Sequence, residues 1–237
     1  MSFSCVEVPC APLPRTGKQT GIDVGLNVLL TTAEGAVVAN PRHYRKAEKP
    51  LAKAQKRLSR RKQRSKRWSK AARLVAKQHQ QVRRQRRDVP HQTARALVRQ
   101  YDVIYAEAMP SAHLGRRPAP VPAGNGGYLH NRAQAQSGVN KSIQDAGWGQ
   151  CLTILACTAD WAGKRVEVVN PAYTSPDCSG CGERVEKSLA VRTHVCPNCG
   201  LMLDRDENAA RNIFWRGQRL RGLAGMPAGG NREPVGL

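Results

Sequence analysis

The chain has 237 residues, 40% of them hydrophobic, and a formal charge of +22 from 39 Lys and Arg against 17 Asp and Glu. That length holds one sizeable domain, or one domain with an inserted module, and the apolar fraction can bury a core, which excludes wholesale disorder. No run of about 18 apolar residues exists, which excludes a transmembrane helix and sets the expectation of a cytoplasmic chain with no membrane partner.

Residues 1–15, MSFSCVEVPCAPLPR, lack the basic and apolar regions of a signal peptide and read as a short strand entering a Pro-containing loop. TGIDVGLNVLLTT followed by AEGAVVAN predicts a hairpin, two strands joined near Ala33-Glu34-Gly35. From about 45 to 100 the pattern becomes helical and basic. Narrow apolar stripes at Leu51, Ala54 and Leu58, at Ala71, Leu74 and Val75, and at Ala94, Leu97 and Val98 predict two or three long helices. They would form an antiparallel hairpin plus a core helix, with Pro90 near the first turn of the last one.

YDVIYAEAMP is a short apolar strand ending at Pro110. Residues 113–127 are Pro- and Gly-rich and predict a flexible loop. An amphipathic helix is expected over 140–162, then the strand GKRVEVVN, a cysteine module over 174–203 and a final helix over 204–216. The tail at 217–237 has little to pack and is expected to be disordered. Removing the basic helices and the cysteine module leaves β-β, β, α, β, α. That order is an α/β core (1–44, then 101–173) interrupted by a basic helical insertion with the core helix (45–100) and by the cysteine module.

Charge is concentrated in one segment. Residues 42–100 hold 22 Lys and Arg against only Glu48 and Asp88. A polyanion partner, nucleic acid before others, follows from that concentration. Arg57, Arg60, Arg61, Arg64, Lys66, Arg67 and Lys70 are expected on turns of one helix, several sharing a face and contacting phosphates. Trp68 could stack on a base or pack.

Cys178-Ser-Gly-Cys181 and Cys196-Pro-Asn-Cys199 form two CxxC knuckles, fourteen residues apart and each followed by glycine. Four thiolates at this spacing predict one tetrahedral zinc ion in a structural role, with no open coordination position. Two disulfides would use the same residues, but a reducing interior rarely keeps them. Cys5, Cys10, Cys151 and Cys157 have no ligand-like spacing and read as small buried or free thiols.

Three carboxylates stand at element ends that such a core could gather. Asp23 interrupts a hydrophobic strand, where a charge is costly unless paired or coordinating a cation. Glu107 ends the strand VIYA, and Asp206 stands near the start of the last helix, where a helix-capping role is also open. Three carboxylates on separate elements can hold two Mg²⁺ ions for phosphodiester hydrolysis.

GIDVGL, RLSRRKQRSKRWSKA, YDVIYAEAM and TSPDCSGCG…CPNCGLMLDRDENAARNI together resemble the TnpB (OrfB) family of transposon-associated, RNA-guided DNA endonucleases related to type V CRISPR effectors. The resemblance runs in order over about residues 20–215. It implies an RNase H-like (RuvC) core with a zinc-ribbon insertion and two catalytic Mg²⁺ ions. Asp23, Glu107 and Asp206 match the catalytic carboxylates, and Cys178, Cys181, Cys196 and Cys199 match the ribbon. Asp206 is preferred to Asp204 because the family's aspartate stands just before xNAA. DNA is the implied substrate, with a guide RNA as partner in the intact family. Two departures are visible: AMPSAHL after the glutamate differs from the usual Asp-Leu-Asn type continuation, and the family's N-terminal half is not found before the first strand, so a truncated form is expected. The alternatives are a catalytically silent DNA- or RNA-binding remnant of a mobile-element protein, and a structural zinc-ribbon protein that would leave Asp23 and Glu107 unexplained.

Overall fold

Two parallel pairings and an antiparallel meander make a five-stranded sheet in the order 37–39, 28–32, 19–24, 103–107 and 165–169. The structure is a computed structural model that describes residues 12–109, 115–116, 118–124, 126–188 and 190–222. Strands β1 (Gln19–Val24), β2 (Val28–Thr32) and β3 (Val37–Ala39) form the meander. The expected hairpin is therefore three strands. The turn at Ala33–Gly35 joins β2 to β3, and a second turn after Val24, closed by Gly25 N–H donating to Leu29 O at 3.3 Å, divides the first run. β4 (Val103–Glu107) runs parallel to β1, and β7 (Arg165–Val169) runs parallel to β4.

β4 is apolar from Val103 to Ala106 because it is central and covered on both faces. Ile104 and Ala106 pack with Ile22, Leu30, Leu97, Val98 and Leu155 on one side. Val103 and Tyr105 pack with Val169 and Ile213 on the other. The first side is covered by α2 (Lys66–Gln100) and α4 (Trp148–Trp161), the second by α5 (Arg205–Leu220). Two glycines let α5 lie close to the sheet. A Cβ at Gly21 would collide with the Ala210 carbonyl oxygen, and one at Gly217 with the Tyr105 ring.

α1 (His43–Ser59) pairs with α2 as a helical hairpin. Its first amides are satisfied from 101 and 100 residues away: Asp145 accepts from Tyr44 N–H at 2.9 Å and Arg45 N–H at 3.1 Å. The boundary expected at Pro90 does not occur. α2 continues through it for 35 residues, because the buried face (Ala71, Val82, Pro90, Ala94, Leu97, Val98) is continuous on both sides and its packing outweighs the lost amide.

The single helix expected over 140–162 is two helices, α3 (Ala133–Ala146) and α4, broken at Gly147, whose φ of +65° lies in the left-handed region. The break turns Trp148 inward, where its indole N–H donates to Gly25 O at 3.0 Å. Within the expected flexible loop (113–127) and just after it, β5 (Val121–Pro122) and β6 (Tyr128–Leu129) form a small antiparallel pair. The last helix runs past the expected end at 216 to Leu220, held by Gly217 against Tyr105 and by Arg221 Nε on Glu167 at 3.4 Å. The strand expected near the N-terminus, Cys5 and Cys10 lie in residues 1–11, and most of the expected tail lies in 223–237, all outside the described residues. No helix among the described residues is long and apolar enough to cross a membrane.

Candidate active site and cysteine metal centre

Strand register brings Asp23 and Glu107 to one end and one face of the sheet, and the last helix brings Asp206 to the same face. Ile22 pairs with Ala106, so Asp23 and Glu107 follow as neighbours on parallel strands. Side chains alternate along a strand, and Ile22 and Ala106 belong to the α2/α4 side. Asp23 and Glu107 therefore face α5, whose first turn carries Asp206. A Cβ at Gly25 would lie 3.7 Å from Asp206 Oδ2. Asp204 stays outside this group as the helix N-cap, accepting from Asp206 N–H at 2.8 Å.

Burial, reinforced by the negative charges of Glu107 and Asp206, lifts the Asp23 carboxyl well above the usual range, and Arg205 and the Val24 amide pull it only partway back. Burial also raises Glu107, against the Thr174 hydroxyl and the charge of Arg216. Asp206 is buried and pairs with Arg192, and Arg205 Nε lies 3.6 Å from its Oδ1. Asp23, buried beside two further carboxylates that raise its proton affinity, belongs to a donor set suited to hard cations. Their oxygens are not packed as tightly as a single-ion cage. Among the described residues, the only group of potential ligand atoms found mutually within 4.8 Å is Cys178, Cys181, Cys196 and Cys199.

That cysteine group can hold a metal ion. Sγ atoms of Cys178 and Cys199 are 3.6 Å apart and those of Cys181 and Cys196 are 3.5 Å apart, far beyond the roughly 2.05 Å of a disulfide. A tetrahedral zinc with bonds of about 2.3 Å needs sulfurs roughly 3.8 Å apart. Each knuckle closes on its own backbone: Gly182 N–H donates to Cys178 O at 2.9 Å and Gly200 N–H to Cys196 O at 3.0 Å. Burial pushes the Cys178 thiol up to about 12. Against its burial, the Glu183 amide and the Asn198 side chain draw Cys181 down to about 7. Of the other thiols, Cys151 is buried, which pushes it up to about 11, and Cys157 is exposed.

Sequence reasoning missed the groups that tie this module to the carboxylates. Asn208, fully buried, accepts from Ser179 N–H at 2.9 Å and donates to Asp177 O at 2.8 Å. Asn212 donates to Thr174 O at 2.9 Å and to Asp177 O at 2.6 Å. The Thr174 hydroxyl in turn donates to Glu107 Oε1. The signal was present: Asn208 and Asn212 stand four apart among the apolar residues of ENAARNIF, on the face the helix buries.

The basic residues are arranged differently from the expectation of one helix. α1 ends at Ser59, and Ser65 caps α2 by accepting from Trp68 N–H at 3.1 Å. Arg57 is therefore on α1, Arg60, Arg61 and Arg64 are in the turn, and Lys66, Arg67 and Lys70 are on α2, all exposed. They crowd the hairpin tip, where a cleft of about 410 Å³ is lined by Arg57, Arg61, Arg67, Lys70, Ala71 and Leu74. Trp68 is half-buried beside them.

Comparison with known proteins places these features in a family. The model OrfB_IS605, described as "Probable transposase", matches residues 3–109, and the Cas12f1-like TNB domain model matches residues 148–213. "Putative RNA-guided DNA endonuclease InsQ" of Escherichia coli (strain K12) is 30% identical over 228 residues, covering 94% of this chain and 56% of the relative. A relative from Streptomyces pristinaespiralis with the same description, apart from the name InsQ, is 32% identical over 236 residues, covering 99% and 52%. The chain thus spans about half the length of the curated relatives it matches. The Cas12f1 chain of a Cas12f1-sgRNA-target DNA complex shares the fold, with a TM-score of 0.56 at 16% identity, over 86% of this chain and 51% of that one. Two family models following one another along the sequence, and relatives aligned from end to end of it, identify the chain as a TnpB-type protein.

Proposed function

We propose that this chain carries the nuclease centre of a TnpB-type, RNA-guided DNA endonuclease. In this reading the five-stranded sheet with α5 is an RNase H-like (RuvC) core, α1 with most of α2 is its basic insertion, and 174–203 is its zinc-ribbon insertion. The observation that carries the proposal is Asp23 inside the sheet, its carboxyl raised by burial and by Glu107 and Asp206 on the same face. Asp23, Glu107 and Asp206 would hold two Mg²⁺ ions, which when bound activate water and stabilise the leaving oxygen of a phosphodiester. The chain's own work is placement. Thr174 fixes the rotamer of Glu107, Asp204 seats the first turn that presents Asp206, and Asn208 and Asn212 hold that helix to the cysteine module. Zinc at the four cysteines is structural, and the exposed cations of the hairpin tip bind DNA or guide RNA through phosphates.

One observation favours a second reading, a DNA- or RNA-binding chain that does not cut. Arg192 and Arg205 already neutralise Asp206. Cleavage of DNA by the chain with its RNA, in Mg²⁺, in EDTA and in the Asp23→Ala variant, decides between them. Mg²⁺-dependent cutting lost in Asp23→Ala is the expected result. Binding without cutting, or equal cutting by the variant, establishes the second reading or removes the catalytic assignment.

A further inference from the structure

Tyr173 holds a backbone conformation that bulky residues avoid, with φ at +66°. Burial does not compensate, because the residue keeps 56% of its surface exposed. Glycine or asparagine would make the same turn with less strain, so the structure retains an aromatic ring where chain geometry argues against one.

The surroundings of the ring are rigid. The Arg184 guanidinium carbon lies 3.7 Å over its centroid, and Arg184 Nε is held by Asp177 Oδ1 at 3.1 Å. Tyr173 O accepts from Asp177 N–H at 3.2 Å, and Arg216 donates to the carbonyls of Asn170 and Ala172. The next residue, Thr174, is buried with its hydroxyl on Glu107. A fixed, exposed, guanidinium-backed aromatic therefore stands one residue from the group that orients a carboxylate of the candidate active site.

A flat ring backed by a cation, on a rim with Arg184 and Arg216, suits a flat ligand that carries negative charge. A nucleobase in an unpaired strand has both properties, whereas a base inside a duplex has its faces covered by its neighbours. We propose that Tyr173, backed by Arg184, is a stacking platform for an unpaired nucleobase of the strand that enters the carboxylate pocket. The proposal rests on the nuclease reading above for the identity of that strand.

The test is the fluorescence of a single-stranded oligonucleotide carrying 2-aminopurine, titrated with the full chain in Ca²⁺ so that binding is read without turnover. Tyr173→Phe should keep the affinity and the quenching. Tyr173→Gly should weaken binding about tenfold, the scale of one lost stacking contact, while its melting temperature stays level or rises as strain is relieved. Unchanged binding in Tyr173→Gly overturns the proposal. So does a joint fall of binding and melting temperature, which marks a purely structural tyrosine, or a loss of binding in Tyr173→Phe. The two readings separate cleanly. If Asp23→Ala cuts as well as the parent, the catalytic assignment is removed while the platform is still judged by quenching alone. If cutting depends on Asp23 and the oligonucleotide ignores Tyr173, only the platform is lost.

Discussion

The Asn208 side chain, two residues beyond Asp206 on α5, accepts the backbone N–H of Ser179 inside the first cysteine knuckle at 2.9 Å. The four-cysteine module and the helix turn that carries Asp206 are thereby joined through one fully buried amide. Asn208→Ala would leave Ser179 N–H without its acceptor and take from Asp177 O one of its two amide donors, Asn212 remaining, a loss of about 2 kcal/mol. The expected outcome in a Mn²⁺ titration is several-fold weaker binding at the carboxylates. The visible spectrum of Co²⁺ at the four cysteines should stay unchanged. A loss of the Co²⁺ spectrum instead would show that the variant had damaged the module itself.

Asp23 gives a prediction whose sign depends on added metal. Its folded pKa is raised, so the folded state favours the proton, and stability is lost as pH rises from the unfolded value of about 3.9 through the folded one. At neutral pH without divalent ions the ionised carboxylate is a burden. Asp23→Asn should then melt higher than the parent in EDTA, by about 1 kcal/mol in unfolding free energy. Mg²⁺ should stabilise the parent and leave the variant unmoved. Thermal melts of both proteins in the two buffers read this directly.

Asp102, paired with Lys164, behaves in the opposite sense. Lys164 is buried, donates to Pro14 O at 2.6 Å and holds the Asp102 carboxylate, which also accepts from Thr16 N–H at 3.0 Å and Gly17 N–H at 2.7 Å. The Lys164 hydrogen bond, opposed by partial burial and aided by those amides, holds Asp102 far below the usual carboxylate range. Its contribution is therefore complete above the unfolded pKa of about 3.9 and declines as pH falls toward the folded one. Asp102→Asn should lose about 3 kcal/mol at pH 7 and show a flatter stability profile between pH 2 and pH 5. Urea titrations across that range would check both.

Cations at the hairpin tip should reveal themselves through salt. Each phosphate contact removed lowers the slope of log affinity against log salt by about 0.9 on duplex DNA. Changing Arg61 and Arg67 together to Gln should reduce the slope by about 2 and weaken binding to unrelated sequences alike. A slope equal to that of the parent would show that nucleic acid does not reach the tip.

Sheet and site were legible in the sequence to different depths. The central strand announced itself because VIYA is apolar on both faces, and Asp23 stood out as a charge inside a strand. Register, which puts Asp23 beside Glu107, was not readable, because parallel pairing depends on contacts between residues more than eighty apart. The helix boundary at Pro90 was misplaced because local propensity was outweighed by a buried face continuing on either side. Gly147 was passed over within an otherwise helical pattern, although its left-handed backbone divides α3 from α4. The cysteine spacing needed no tertiary information. Thr174, Asn208 and Asn212 needed it entirely, since each acts through a partner more than twenty-five residues away.

The unbroken course of α2 has a mechanical consequence. Thirty-five helical residues make a strut about 52 Å long, with Lys66, Arg67 and Lys70 at one end and Ala94, Leu97 and Val98 seated beneath the sheet at the other. A ligand that grips the far end pulls on a lever whose fulcrum is the layer carrying Asp23 and Glu107. In the proposed nuclease, capture at the tip and alignment at the carboxylates would thus be linked by one stiff piece of backbone.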